Sequence, residues 1–159
     1  MKTKRTMGNR IMTLAMALML ALTGIGMTQA VSAANTADEP WQFTFGAGSS
    51  TEKYITAREK NNSTKIYVKW TSTYGGNLSA IWVSPYGATN SGAALQPAGT
   101  MAGGGATYAM PGIGQYSITN CVNELGLKYA SVGMRTKTGY GSAVGLWSPD
   151  STRNYTILY

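Results

Sequence analysis

Short stretches of alternating apolar and polar residues follow one another along most of the chain after residue 40. The stretch 41–45, WQFTF, has an aromatic residue at every second position, and Ile66, Val68 and Trp70 alternate with polar residues in TKIYVKW. Further stretches of this kind are LSAIWVS, QYSITNCV, LKYASVGM, AVGLW and NYTILY. Period-two alternation with aromatic and β-branched residues is typical of half-buried β-strands.

Residues that favour turns separate these stretches, as at 61–63, 74–77, 85–87 and 90–92. Many short strands at this spacing predict one all-β domain, either an antiparallel β-sandwich or a barrel-like fold. No stretch from Glu39 onward combines a helical apolar stripe with caps. We expect the core to hold the aromatic residues that fall in apolar alternations: Trp41, Trp70, Trp82 and Trp147.

The Gly-rich stretch 97–114 is the longest one between predicted strands. It predicts a loop around 103–105 and a short strand at 106–110. The loop is either a mobile binding loop or a plain connection, and the residues leave both interpretations open.

The first 33 residues have the pattern of a secretory signal peptide. Four basic residues and no acid precede an apolar run of 17 residues, Ile11 to Met27, and small residues follow at Val31 and Ala33. This order predicts cleavage after Ala33 and secretion to the cell exterior. A retained membrane anchor is the alternative, but 17 residues lie at the short limit for a membrane span. We therefore expect no stable membrane insertion after cleavage.

Cleavage would leave 126 residues, which suits a single domain. We expect residues 34–40 to form a flexible leader and residues 41–159 to form the β-rich domain. Nine of the thirteen Lys and Arg residues lie after the signal, against six Asp and Glu, so the mature net charge is +3. That charge is ordinary for a soluble domain and mildly favours an anionic partner, such as a cell-wall polymer or an acidic glycan. Another protein is a further candidate, and we predict no nucleic-acid partner.

The chain contains no histidine and one cysteine, Cys121. The missing histidine excludes Ser-His-Asp catalysis, Cys-His catalysis and histidine-based metal sites. A single cysteine forms neither an internal disulfide nor a structural zinc site, so Cys121 is either a small packing residue or a thiol that reacts or joins two chains. No phosphate-binding glycine motif is present. We therefore predict no catalytic residue, no cofactor and no metal.

The carboxylates offer one weak route to an enzyme. Cleavage of a glycan needs two of them facing each other across a sugar, and Glu124 and Asp150 are the only pair in the C-terminal half. Asp150 lies in GLWSPDS, where Ser148–Ser151 predicts a type I turn whose backbone the carboxylate would bond. Residues 155–159 would then return as a closing hairpin strand. A glycan-cleaving enzyme therefore stays a remote alternative.

Aromatic and basic residues lie near one another at two places along the chain. Flat aromatic side chains stack on sugar rings, and neighbouring cations attract an anionic polymer. The alternative is a β surface on which Tyr and Lys improve strand pairing and protect edges. The predicted polymer-binding surface consists of Lys65, Tyr67, Lys69, Arg135, Lys137 and Tyr140.

The C-terminal third contains three short motifs: Tyr-x-Ile-x-Asn at 116–120, Asn-Glu-x-Gly at 123–126 and Trp-Ser-Pro-Asp-Ser at 147–151. With these it resembles the end of a family of small secreted β-rich proteins of Gram-positive bacteria, whose function is unknown. The resemblance implies export and a β fold, and it supplies no catalytic residues. Some members lie near bacteriocin-like genes. The sequence therefore favours a secreted, non-enzymatic β-sandwich that binds a partner, with a secreted antimicrobial or toxin-like protein as the alternative.

Overall fold

The computed structural model describes residues 33–158, so the predicted signal peptide lies outside the described residues except for Ala33. Within that range the regular structure is β throughout. Period-two alternation therefore identified the element type correctly. The strands are β1 Glu39–Phe45, β2 Lys53–Tyr54, β3 Arg58–Glu59, β4 Ile66–Tyr74, β5 Ala80–Ala88, β6 Gln96–Pro97, β7 Tyr108–Met110, β8 Gly114–Ile118, β9 Tyr129–Thr138, β10 Gly141–Ser148 and β11 Thr156–Leu158.

The strands form two sheets, which confirms the predicted all-β sandwich. The first sheet has the order β1-β10-β4-β8-β11, and the second has the order β2-β9-β5-β6, with β3 also paired to β9 and β7 paired to β5. The pairs are antiparallel except for β8 and β11, which run parallel. Residues 33–158 contain no helix that could span a membrane.

The apolar positions of the alternations meet between the two sheets. Ile66 and Val68 of β4 are fully buried, as are Ile81 and Val83 of β5 in the other sheet. Removing such side chains from water is the main favourable contribution to folding. Three of the four tryptophans lie in this core, as expected: Trp41, Trp70 and Trp147.

The fourth tryptophan, Trp82, is not in the core. Because Ile81 and Val83 point inward, the alternation of the strand turns Trp82 to the outer face of the second sheet, where it is half-buried. The sequence prediction was wrong here because Ile81, Trp82 and Val83 form a continuous apolar run. Such a run does not reveal which of its positions face the core.

The pairing of strand β10 is irregular at Gly145. Its pairing with β4 shifts between Val144 and Gly145. A Cβ atom at Gly145 would collide with the carbonyl oxygen of Lys69 and lie 2.7 Å from the indole ring of Trp41. The close approach of β1 and β4 to this point therefore requires glycine.

The end of the chain does not form the hairpin that the sequence predicted. Strand β11 pairs with β8 in parallel, with Thr156 opposite Tyr116 and Leu158 opposite Ile118. The segment after β10 therefore passes β4 and β8 to reach the far edge of the first sheet. Leu158 is buried at this edge, whereas a hairpin with β10 would have required one of the two places beside it, which β1 and β4 already hold.

Candidate functional site

A buried ion pair joins the end of β3 to the end of β10. The Nζ atom of Lys60 donates hydrogen bonds to Asp150 Oδ1 at 3.0 Å, to the carbonyl of Thr64 at 2.6 Å and to the carbonyl of Pro149 at 2.7 Å. Neither charged side chain has exposed surface. Burial lowers the pKa of Lys60 from its usual value, while the hydrogen bond and the charge of Asp150 act against that shift. The three acceptors match the three N–H groups of an ammonium ion.

The carboxylate of Asp150 also holds two backbone segments. Its Oδ2 atom accepts hydrogen bonds from the backbone N–H of Asn35 at 2.7 Å and of Asn61 at 3.0 Å. The prediction that Asp150 bonds its own turn backbone was therefore wrong, because the bend after Ser148 directs the carboxylate into the protein. Asp150 ties the segment before β1 and the loop after β3 to the segment after β10.

The predicted leader 34–40 is thus in contact with the domain. Strand β1 begins at Glu39, two residues before the predicted domain start. The side chain of Asn35 donates to the carbonyl of Glu59, and Arg58 donates to Asn35 Oδ1 and to the carbonyl of Ala37. These bonds join the segment 33–38 to β3.

Glu124 and Asp150, the carboxylates considered for glycan cleavage, differ in their surroundings. Asp150 is completely buried and both of its oxygens accept hydrogen bonds, whereas Glu124 is exposed. A general acid must reach the substrate oxygen that it protonates. The carboxylate of Asp150 is buried and holds three segments of the chain together.

A polar groove of about 240 Å³ lies over the outer face of the first sheet, and we call it the closing-loop groove. Asp38, Tyr67, Arg153 and Tyr155 are among its lining residues. The ring of Tyr67 packs against that of Tyr155, with the ring centres 4.7 Å apart. The Tyr67 hydroxyl donates a hydrogen bond to Gln115 Oε1 at 2.9 Å. Burial, followed by the negative charge of Asp38, raises the pKa of Tyr67. Tyr67 is 7% exposed, so its ring is not a free stacking platform.

Two cations and a tryptophan lie together on the outer face of the second sheet, and we call this group the cation–tryptophan patch. It consists of Trp82 on β5 and of Arg135 and Lys137 on β9. Arg135 pairs with Trp82 across the strands, and the Arg135 guanidinium carbon lies 5.9 Å from the centre of the Trp82 rings. The Nζ atom of Lys137 lies 4.3 Å from the same centre. Two cations thus contact one aromatic side chain, an arrangement that the aromatic quadrupole favours.

The structure divides the six residues of the predicted polymer-binding surface. Lys65, Tyr67 and Lys69 alternate with core residues of β4 and face the outer side of the first sheet. Arg135 and Lys137 alternate with core residues of β9 and face the outer side of the second sheet. Tyr140 lies in the turn between β9 and β10, 47% exposed, where its N–H donates to Asn77 Oδ1. Since the outer faces of a sandwich point in opposite directions, one flat ligand cannot contact all six.

The sequence did not indicate a carboxylate–tyrosine arrangement on the second sheet, which we call the Glu52 cluster. Glu52 Oε2 accepts hydrogen bonds from the hydroxyl of Tyr54 at 3.0 Å and from that of Tyr86 at 2.7 Å. The two tyrosine rings meet edge to face, with centres 5.1 Å apart. A Cβ atom at Gly133 would lie 2.6 Å from the Glu52 carboxyl carbon, so the carboxylate rests where β9 has no side chain. In the sequence, the one signal of this site is Gly133, which leaves an outward position of β9 without a side chain.

Cys121 is half-buried and forms no disulfide. Burial raises the pKa of its thiol, with the charge of Glu124 adding to the shift. Within residues 33–158, no group of His, Cys, Asp and Glu side chains has the arrangement of a metal site.

Residues 29–151 match the family described as a protein of unknown function, DUF2712. The chain belongs to this family. The match covers far more than the C-terminal third in which the sequence motifs lie, and it includes the Lys60–Asp150 pair, the Glu52 cluster and the cation–tryptophan patch. No curated protein and no solved structure matches the chain.

Proposed function

We propose that the protein is a secreted, non-enzymatic binding module that holds an anionic polymer of the cell envelope. Export rests on the signal-peptide pattern of residues 1–33. The resemblance to exported Gram-positive proteins makes the wall polymers of such a cell the first ligands to test. The observation that carries the proposal is the cation–tryptophan patch on the outer face of the second sheet.

The two cations of the patch are available to an external anion. In residues 33–158, the ion pairs within 4 Å are Arg58 with Glu39 and Lys60 with Asp150, so neither Arg135 nor Lys137 has a carboxylate partner there. Lys137 is exposed and Arg135 is half-buried beside Trp82. Neighbouring uncompensated charges on one strand attract a polyanion, and the attraction weakens as salt screens it.

The division of basic residues between the two sheets provides a matched test. Retention on purified cell walls and on anionic polysaccharide is measured over a salt series for the secreted protein and for two double variants. We expect Arg135→Gln/Lys137→Gln to abolish retention at moderate salt. The control, Lys65→Gln/Lys69→Gln, removes the same charge from the opposite face and should still be retained.

Two outcomes contradict the proposal. The unmodified protein would show no salt-sensitive retention on either material, or both double variants would lose retention equally. The second outcome would mean that net charge acts without a defined surface.

A further inference from the structure

We propose that the outer face of the second sheet is a binding strip for an acidic carbohydrate, with the Glu52 cluster at one end and the cation–tryptophan patch at the other. The inference rests on the proposed function and adds the class of polymer and a second set of contacts. In this strip Glu52 accepts hydrogen bonds from sugar hydroxyls, and Arg135 with Lys137 pairs with a negative substituent.

The two ends lie on one face at a separation that suits a short saccharide. Trp82 and Tyr86 are four residues apart on β5, so both point outward, about 13 Å apart along the strand. Between them lies Ser84, paired across the sheet with Gly133. The Ser84 hydroxyl bonds that of Thr107 at 3.0 Å. The Glu52 carboxylate lies over Gly133, which is two residues from Arg135 on β9, so the hydrogen-bond acceptor and the cations are roughly 7 Å apart along the strand.

The Glu52 cluster has unused capacity to accept hydrogen bonds. Both tyrosine hydroxyls donate to Oε2, and no donor within residues 33–158 reaches Oε1. Glu52 is half-buried and the Tyr54 ring beside it is 46% exposed. An ionised carboxylate only accepts hydrogen bonds, so its natural ligand groups are hydroxyl or N–H donors. An exposed aromatic ring next to such an acceptor suits the apolar face and hydroxyl rim of a sugar.

The charges of the two ends select among polymers. A polyanion without hydroxyls, such as polyphosphate, would match Arg135 and Lys137 but would be repelled by Glu52. A neutral glycan would satisfy Glu52 and leave both cations without partners. A carbohydrate that carries hydroxyls and negative groups is complementary to both ends.

The test compares two probes, short oligogalacturonates and polyphosphate, by equilibrium binding to the secreted protein. Glu52→Gln keeps an oxygen for the tyrosine hydroxyls and removes the charge. It should weaken oligogalacturonate binding by at least about tenfold, because hydrogen bonds to an ionised group are the strong ones. The same variant should leave polyphosphate binding equal or tighter. Glu124→Gln is the control, since it removes one exposed carboxylate outside the strip and should change neither affinity.

A second variant keeps the inference testable if Glu52→Gln unfolds. Tyr54→Ala removes an exposed ring without opening the core, and it should also weaken oligogalacturonate binding. Unchanged oligogalacturonate binding in both variants, together with its loss in Arg135→Gln/Lys137→Gln, would overturn the strip and leave the proposed function standing. Binding of polyphosphate but not of oligogalacturonate would likewise overturn the strip alone. Failure of the unmodified protein to bind either probe would overturn both.

Discussion

The ammonium group of Lys60 lies 3.0 Å from Oδ1 of Asp150, and neither side chain is exposed. The two residues are 90 positions apart in the chain, and Asp150 also holds the backbone of Asn35, 115 positions away. One carboxylate thus joins three distant segments at one end of the sandwich. It also supports the closing-loop groove, which the segment after β10 borders.

Removing the charge of Asp150 should destabilise the protein strongly. Asp150→Asn leaves the Lys60 ammonium buried without its counter-ion, and breaking a buried pair in this way costs about 3–5 kcal/mol of unfolding free energy. Urea denaturation followed by tryptophan fluorescence measures the change. Asp38→Asn is the control, since Asp38 is exposed, and its effect should stay within about 0.5 kcal/mol. Equal urea midpoints for the two variants would contradict the central role of Asp150.

The segment before β1 should contribute to stability. A chain beginning at Ala37 lacks the Asn35 N–H that donates to Asp150 and the Asn35 side chain that Arg58 contacts. Compared with a chain beginning at Ala34, it should lose about 2 kcal/mol, because a donor to a buried carboxylate disappears. Urea denaturation of the two chains measures the difference. If both unfold at the same urea concentration, the segment does not hold the domain as the contacts indicate.

Alanine at Gly145 should disrupt the first sheet. The added Cβ would meet the Lys69 carbonyl and the Trp41 ring, which are held by neighbouring strands. We expect a loss of more than about 3 kcal/mol, or failure to fold, measured by soluble yield and urea denaturation. Gly105→Ala is the matched control, since the nearest atom to its Cβ would be 3.9 Å away on Pro97. A fully stable Gly145→Ala protein would mean that the close approach of Lys69 and Trp41 to this position does not require glycine.

Stability should fall at high pH partly through Tyr86. Burial, followed by the hydrogen bond to Glu52, raises the pKa of Tyr86 above its ordinary value of about 10. Above pH 10 the unfolded chain therefore loses this proton before the folded protein does, so the contribution of Tyr86 is complete below pH 10 and is lost as the pH rises further. Unfolding free energy measured between pH 9 and 11.5 should decline less steeply in Tyr86→Phe. Lys60 acts in the opposite direction because its pKa is lowered, but it is present in both proteins. Identical slopes would contradict the assignment to Tyr86.

Trp82 should be the tryptophan that quenchers reach. The other three are at most 5% exposed, whereas Trp82 is half-buried on an outer face. Iodide should quench a minor part of the native fluorescence, aided by the positive charges of Arg135 and Lys137, and Trp82→Phe should remove that part. A ligand of the patch should protect the same part from iodide. Quenching that persists in Trp82→Phe would place the accessible tryptophan elsewhere.

Local pattern predicted the longer strands and most of the core, but the turn predicted at 85–87 lies inside β5, and the short strands β2, β3 and β6 were not predicted. Ile66, Val68 and Trp70 are buried as their alternation indicated, because successive side chains of any strand point to opposite faces. The same rule correctly placed Lys65 and Lys69 on an outer face. It failed at Trp82, because its two neighbours are also apolar and the sequence does not show which of the three side chains faces the core.

The amino-acid pattern thus decides that the chain forms strands and which side chains share a face, since these follow from backbone geometry over a few residues. Which strands become neighbours was decided by the tertiary structure. Pairing placed Arg135 beside Trp82 but on the opposite side of the sandwich from Lys65, and it sent β11 to β8. The partners of Asp150 and the position of Glu52 over Gly133 depend on the same assembly. They arise because a buried charge must find donors and a side chain must find space wherever the packed sheets supply them, at any distance along the chain.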